Sequence, residues 1–292
     1  MQNVKKTFLF LLLTLLLVGL TLGGCTATSE NAGKIEDGPE SNGNQAGTSE
    51  SPTDQEEPAA AADEEDPETP LTLTYLGHST FWMEYGEAGI LIDPYQPDFG
   101  NYGKIDLNAT VVLVTHDHTD HNYTPGGGQG ATVLRALTAA GDWQKTDHSL
   151  GDLQIASVTG TFHGGNLGKN GVFVLTTPTL RLAYLGDIGH TLQAEEIAQI
   201  GQPDVLFVPV GGHYTIDPPE VLELIDQLSP AVVVPMHYQT KHNPDTPIGT
   251  LDDFLVLDNI PYPIEPQHST LKLTSKGMPA QTEIWVMKYT LP

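Results

Sequence analysis

The run "THDHTDH", Thr115–His121, packs His116, His118, Asp120 and His121 into six consecutive positions. Imidazole nitrogens and a carboxylate are the ligand types that hold zinc, and they serve iron and manganese as well. In extended backbone, side chains two apart point the same way, so His116 and His118 can share one ion while a following turn aims Asp120 and His121 at a second. Two cations a few ångströms apart lower the pKa of a bridging water and set hydroxide opposite an electrophilic carbon or phosphorus. Asp120, as ligand and hydrogen-bond acceptor, can orient that nucleophile and then carry its proton. The competing reading, a polar surface loop, needs four ligating side chains to meet by accident behind an apolar strand.

That strand is "TVVLVT", Thr110–Thr115, whose continuous β-branched run suits burial on both faces. Before it, Leu71–Gly77, Thr80–Tyr85 and Gly89–Asp93 read as strands, the first two alternating apolar and polar residues. A second meander is expected from Leu153–Val158, Val172–Thr176 and Arg181–Leu185. Then strand and helix alternate: a helix near Leu192–Ile200, a strand at Val205–Val208, and a helix opened by Asp217 as N-cap with Pro218 and Glu220 in its first turn. Ala231–Pro235 reads as another buried strand. Two meanders followed by strand–helix pairs predict sheets stacked face to face with helices outside, an α/β layered sandwich.

The N-terminal quarter has a different character. Lys5 and Lys6 precede an apolar run, Phe8–Leu22, and then "LGGC" ending at Cys25, the only cysteine. This order predicts a secretory signal over residues 1–24, and the small residues before Cys25 resemble the lipobox of bacterial lipoproteins, which implies lipidation at Cys25 and an extracytoplasmic, membrane-anchored protein. Residues 25–70 are rich in Ser, Gly, Asn, Ala, Pro and Glu and hold thirteen acids against one base, Lys34. Such a segment cannot bury enough apolar surface to offset its ordering entropy and is expected to be a disordered tether to a domain at 71–292. The whole chain carries a net charge of −25, which argues against a nucleic-acid partner, since backbone binding needs Lys and Arg to displace counterions.

With its His-x-His-x-Asp-His run, the sequence resembles the metallo-β-lactamase superfamily over Leu71–Pro292. The resemblance implies a four-layer αββα sandwich and a dinuclear hydrolase with two divalent metal ions, zinc first, with manganese or iron as alternatives. It implies that His116, His118 and His163 ("TFHGG") hold the first metal, that Asp120, His121 and His237 ("VPMHY") hold the second, and that Asp187 ("YLGDIGH") bridges them. "YLGHSTF" (Tyr75–Phe81), "LIDP" (Leu91–Pro94) and "PVGGHYTID" (Pro209–Asp217) resemble the branch containing ascorbate-6-phosphate lactonase.

Other residues invite weaker roles. His78 is either a turn residue or, through the branch resemblance, a group that orients a ligand or touches substrate. His190, three residues beyond Asp187, either caps that loop or approaches the site. The strand before His213 runs towards the sheet edge that carries Asp187 and His237, and Gly211 with Gly212 allow close backbone approach. With seven ligands already supplied, His213 is expected to be a pocket-wall donor or general acid shared with Tyr214, the alternative being an ordinary turn into the Asp217 cap. His148, His242 and His268 read as solvent histidines, and the cations near the motifs are Lys104, Lys145, Lys169 and Lys241, with no dedicated anion clamp among them. The sum is a metal-dependent hydrolase of a small-molecule ester, lactone or phosphodiester; the alternative is a non-catalytic surface lipoprotein that uses the metal to capture a ligand.

Overall fold

The computed structural model describes residues 68–258 and 260–291, which fall in a compact unit spanning Asp63–Pro292. The expected signal segment, Cys25 and the tether up to residue 67 lie outside the described residues. Glu68 is tied to the domain, its carboxylate accepting hydrogen bonds from Ser275 N and Ser275 Oγ, both at 2.8 Å. The last three tether residues thus belong with the domain. Among the described residues no helix is long and apolar enough to cross a membrane.

The described residues form fourteen strands, in chain order β1 (Leu71–Gly77), β2 (Thr80–Tyr85), β3 (Ala88–Ile92), β4 (Val111–Val114), β5 (Thr132–Arg135), β6 (Asp147–Leu150), β7 (Leu153–Val158), β8 (Val172–Thr176), β9 (Arg181–Tyr184), β10 (Val205–Pro209), β11 (Val232–Met236), β12 (Ile264–Gln267), β13 (Thr270–Leu273) and β14 (Glu283–Met287). They form two mixed sheets, one ordered β13-β1-β2-β3-β4-β5 and the other β12-β14-β11-β10-β9-β8-β7-β6. Strands β3, β4 and β5 are parallel, as are β9, β10 and β11, so each sheet presents a row of C-terminal strand ends where loops can gather.

Period-2 alternation divides the first sheet. Leu73, Tyr75, Phe81, Met83, Ile90, Ile92, Val111 and Leu113 join the main core between the sheets. Their neighbours Leu76, Leu91, Val112 and Val114 face away and pack with Tyr95, Tyr102 and Ile105 of the β3–β4 connection. An aromatic loop therefore covers that face where helices would stand. Helices α1 (Ala194–Ile200) and α2 (Pro218–Leu228) cover the second sheet, and α3 (Leu251–Leu255) adds one short turn. Strands β10 and β11 are buried at every position because a sheet lies on one side and helices on the other. Helix α2 contributes Val221, Leu224, Ile225 and Leu228 to the same core. Asp217 stands at its N-cap position in extended conformation, but its side chain makes no capping bond.

Glycines let three loops meet beyond these strand ends. A methyl group at Gly189 would stand 2.2 Å from Gly164 Cα, and one at Gly164 would stand 2.3 Å from Tyr214 O. Because the obstructing atoms are backbone, no rotamer change can relieve the clash. Gly189→Ala is expected to cost about 1–3 kcal/mol, as overpacking does, lowering the urea midpoint and weakening metal uptake; an unchanged midpoint would contradict the close approach.

Candidate metal centre

Each ligand candidate sits where a strand ends. Strand β4 runs into His116, His118, Asp120 and His121; the β7–β8 loop carries His163; the segments after β9 and β11 carry Asp187 and His237; the β1–β2 turn carries His78. The structure brings these eight side chains together. One ligand atom each from His116, His118 and His163 lies within 4.8 Å of the others, and so does one each from His78, Asp120, His121 and His237.

Asp187 joins the two groups. Its Oδ2 lies 3.1 Å from His237 Nε2, 3.2 Å from His163 Nε2, 3.3 Å from His121 Nε2 and 3.8 Å from His116 Nε2. Asp187 and these four imidazoles are buried, and Nε2 of His116, His121 and His163 and Oδ1 of Asp187 have no hydrogen-bond partner among the described residues. Buried polar atoms are rarely left unpaired, and so many lone-pair donors aimed at one region fit divalent cations. Burial alone would raise the Asp187 carboxyl, but the His121 and His237 imidazoles outweigh it and hold the group well below the usual carboxylate range.

The Nδ1 atoms of His116, His121 and His163 are pinned, which leaves their Nε2 atoms facing inward. His163 Nδ1 donates to Gly164 O at 2.9 Å, and His116 Nδ1 lies 2.9 Å from Thr115 Oγ1. That hydroxyl donates to Asp93 Oδ2 at 2.6 Å, and His121 Nδ1 reaches the same oxygen at 2.9 Å. Asp93 Oδ1 accepts from Thr115 N at 2.8 Å, and the Tyr184 hydroxyl donates to Oδ2 at 3.2 Å. Asp93 is fully buried, at φ 43°, and orients ligands from both groups. In the sequence Asp93 stands only at the end of the strand Gly89–Asp93 and within "LIDP", which carries the branch resemblance, with no role of its own. Asn170 performs the same service for Asp187, accepting from Asp187 N at 3.0 Å while donating to Leu185 O at 2.8 Å.

His78 resolves away from a plain turn residue. It is fully buried, and its Nε2 lies 3.1 Å from Asp120 Oδ2. Its carbonyl accepts from His237 N at 2.9 Å and from the Tyr75 hydroxyl at 2.8 Å. Burial, then the neighbouring His237, push the His78 pKa down to about 4, so the ring is neutral at physiological pH and donates to Asp120 through Nε2. Burial tends to raise Asp120, but His121 and His78 overcome it and keep the group anionic.

Two expected site histidines stand elsewhere. His190 accepts from Phe162 N at 3.0 Å and donates from Nδ1 to Thr191 O at 2.9 Å, so it braces the His163 loop instead of facing the metal groups. His213 is exposed, its ring edge-on to Tyr214 at 4.4 Å. Its φ of 62° follows Gly212 at 63°, and two left-handed residues in succession turn the side chain outward. Tyr214 instead lines the cleft of about 170 Å3 over the cluster, together with Leu167 and five of the ligand candidates. A further correction concerns His242, which is not a solvent histidine: it donates to Asn101 O at 2.9 Å and its ring packs against Tyr102 and Tyr289. A larger cavity, about 550 Å3, is walled in part by Asp117, Arg135 and Leu137 and shares only His116 with the cluster.

Similarity to known proteins agrees with this geometry. Residues 72–237 match the beta-lactamase superfamily domain. The chain is 33% identical over 188 residues to a UPF0173 metal-dependent hydrolase of Korarchaeum cryptofilum, covering 58% of this chain and 84% of the relative. It is 30% identical over 190 residues to another of Caldivirga maquilingensis, covering 58% and 82% respectively. Among solved structures, a metallo-beta-lactamase superfamily protein from Thermotoga maritima, provisionally named a Zn-dependent hydrolase, is 29% identical and superposes with a TM-score of 0.57, covering 75% of this chain and 100% of that one.

Removing Asp93 should leave His121 and Thr115 without their acceptor. Asp93→Ala is expected to weaken metal binding about 10–100-fold, the usual effect of losing a group that orients a ligand; competition with a chromophoric chelator measures it, and unaltered affinity would remove Asp93 from the site.

Proposed function

The chain belongs to the beta-lactamase superfamily and, within it, to the UPF0173 metal-dependent hydrolases, and we propose that it hydrolyses an ester, lactone or phosphodiester of a small molecule at a pair of divalent cations. The observation that carries this reading is the pair of buried ligand groups sharing Asp187 beneath a cleft that reaches solvent. A structural metal site closes its coordination with protein groups, whereas a catalytic one keeps a side open.

His116, His118 and His163 would hold one cation, Asp120, His121 and His237 the other, and Asp187 would serve both. Zinc is the first candidate, in line with the name given to the Thermotoga maritima relative, and manganese and iron suit the same ligands. When bound, such cations polarise a carbonyl or phosphoryl oxygen and lower the pKa of water. The chain's own groups do the rest. Asp120 is anionic and partly exposed, with a side-chain exposure of 22%. It orients the attacking water, takes its proton and delivers it to the leaving group. His78 keeps Asp120 in place through its Nε2. The Tyr214 hydroxyl makes no hydrogen bond among the described residues, lines the cleft, and can donate to a substrate oxygen. His213, outside the cleft, steadies the Tyr214 ring and meets whatever part of the substrate extends beyond the rim. A lactone is kept in view by the resemblance of "YLGHSTF" and "PVGGHYTID" to the ascorbate-6-phosphate lactonase-like branch.

The first 25 residues support a location outside the cytoplasmic membrane, held there by lipid on Cys25, and the net charge of −25 speaks against a nucleic-acid partner. Cys25→Ser should then leave the protein unprocessed or shift it from the membrane to the soluble fraction, and unchanged lipid labelling would refute the anchor.

Chelation of the metal should abolish hydrolysis and re-addition restore it. Asp120→Ala should lower kcat by about 10²–10⁴-fold, the range for loss of a positioned acid–base group, whereas His213→Ala should keep both metals and lose far less. Equal losses in the two variants would overturn the division of roles.

A further inference from the structure

Five of the seven residues that line the metal cleft are ligand candidates, and the other two are Leu167 and Tyr214. We infer that Leu167, with the Tyr214 ring, makes this a site for substrates whose group next to the reacting bond is short, uncharged and apolar: a carboxylic ester or lactone with an aliphatic flank, in preference to one carrying a phosphate or free carboxylate there. The inference rests on the hydrolase reading above and narrows its substrate class.

Size sets the first limit. At about 170 Å3 the cleft is smaller than the roughly 300–1,000 Å3 of sites that enclose drug-sized ligands. It takes the reacting group and a short chain, and the rest of a larger substrate must lie outside.

Leu167 supplies the second. Leu167 is 49% exposed although it sits over a buried polar cluster, so its apolar surface is free for a ligand. The loop that carries it is fixed. Phe162 pairs with Lys169 across its base, His163 N donates to Gly168 O at 3.0 Å, and Leu167 N donates to Gly164 O at 3.2 Å. Trp143 Nε1 donates to Thr161 O at 3.0 Å, its ring packs on Phe162, and the Lys169 ammonium lies 4.7 Å from its centroid. Gly164, lacking a side chain, lets this loop rest on the Tyr214 backbone. The apolar wall is therefore formed before substrate arrives, and binding incurs little ordering cost.

Charge supplies the third. Among the described residues no Lys or Arg lines the cleft. Lys169, on the same loop, is held by Asp142 and Trp143, and Arg135 lines the other cavity and faces Asp117 at 3.5 Å. A pendant anion would find no counterion beyond the metals and would meet Leu167. An unpaired charge taken out of water is strongly disfavoured, whereas each methylene fitted into an apolar site improves discrimination on the order of tenfold or more.

The test uses the full chain loaded with zinc and two pairs of probes. 4-Nitrophenyl butyrate and 4-nitrophenyl hydrogen succinate have acyl chains of the same length and differ in the terminal charge. Butyrohydroxamate and succinyl monohydroxamate repeat that difference on a common metal-binding head and are read by calorimetry, without turnover. The wild type is expected to favour the uncharged member of each pair by about tenfold or more. Leu167→Lys should bring both ratios to unity or reverse them at unchanged metal content, and Leu167→Ser should weaken the uncharged member alone. Equal affinity for the two hydroxamates, or ratios that Leu167→Lys does not move, would overturn the inference. Should neither ester be hydrolysed while the hydroxamate ratios behave as expected, the carboxylic-ester part of the hydrolase reading fails and the selectivity of the cleft stands.

Discussion

Four imidazoles converge on one carboxylate oxygen, Asp187 Oδ2, at 3.1 to 3.8 Å, and the rest of the site is arranged to keep them there. Buried together, these groups cannot satisfy one another by hydrogen bonding, because several inward nitrogens and the second carboxylate oxygen remain unpaired. Unpaired buried polar groups are costly, and cations remove that cost. Metal binding and the stability of this part of the fold are accordingly linked, as in other proteins whose ligands are assembled only on folding.

Convergence of this kind needs both sheets. The first supplies Asp93 at the end of β3 and the histidine run after β4; the second supplies Asp187 and His237 after β9 and β11, and His163 from the β7–β8 loop. Asp93 reaches across with one oxygen to hold His121 and, through Thr115, His116, while Tyr184 from the opposite sheet donates to the same oxygen. The contacts among Gly164, Gly189 and Tyr214 are backbone on backbone, so the loops around the cleft cannot slide independently. A polar network in which every member holds another is rigid, which suits a site that must keep ligands in place while substrate comes and goes.

Much of this was legible in the sequence, and what was not has physical reasons. Strands with a buried face announce themselves by alternation, as β1 and β2 do, or by an apolar run, as β8 does, and β1, β2, β7 and β8 have the bounds their patterns predict. β5, β6, β12 and β13 escaped notice because they are largely exposed edge strands with no clear apolar period, β12 even containing Pro266, and β14, though inside the second sheet, because its short run is only partly buried. The close spacing of His116 to His121 exposed the chemistry because those ligands are local, and the distant ligands came through family resemblance. Asp93 stayed hidden because its partner His121 is 28 positions away and nothing local separates a buried acid from one ending a strand at a turn. For His213 the strand-end argument located the backbone correctly, but side-chain direction depends on two successive left-handed residues, and these present Tyr214 to the cleft instead.

The account stands on a shared carboxylate between two cations. Crystals of the zinc-loaded full chain, with diffraction recorded on both sides of the zinc absorption edge, test it most directly. Two anomalous peaks should appear, one among His116, His118 and His163 and the other among Asp120, His121 and His237, with Asp187 contacting both. A single peak, or a pair that leaves Asp187 without contact, would contradict the account.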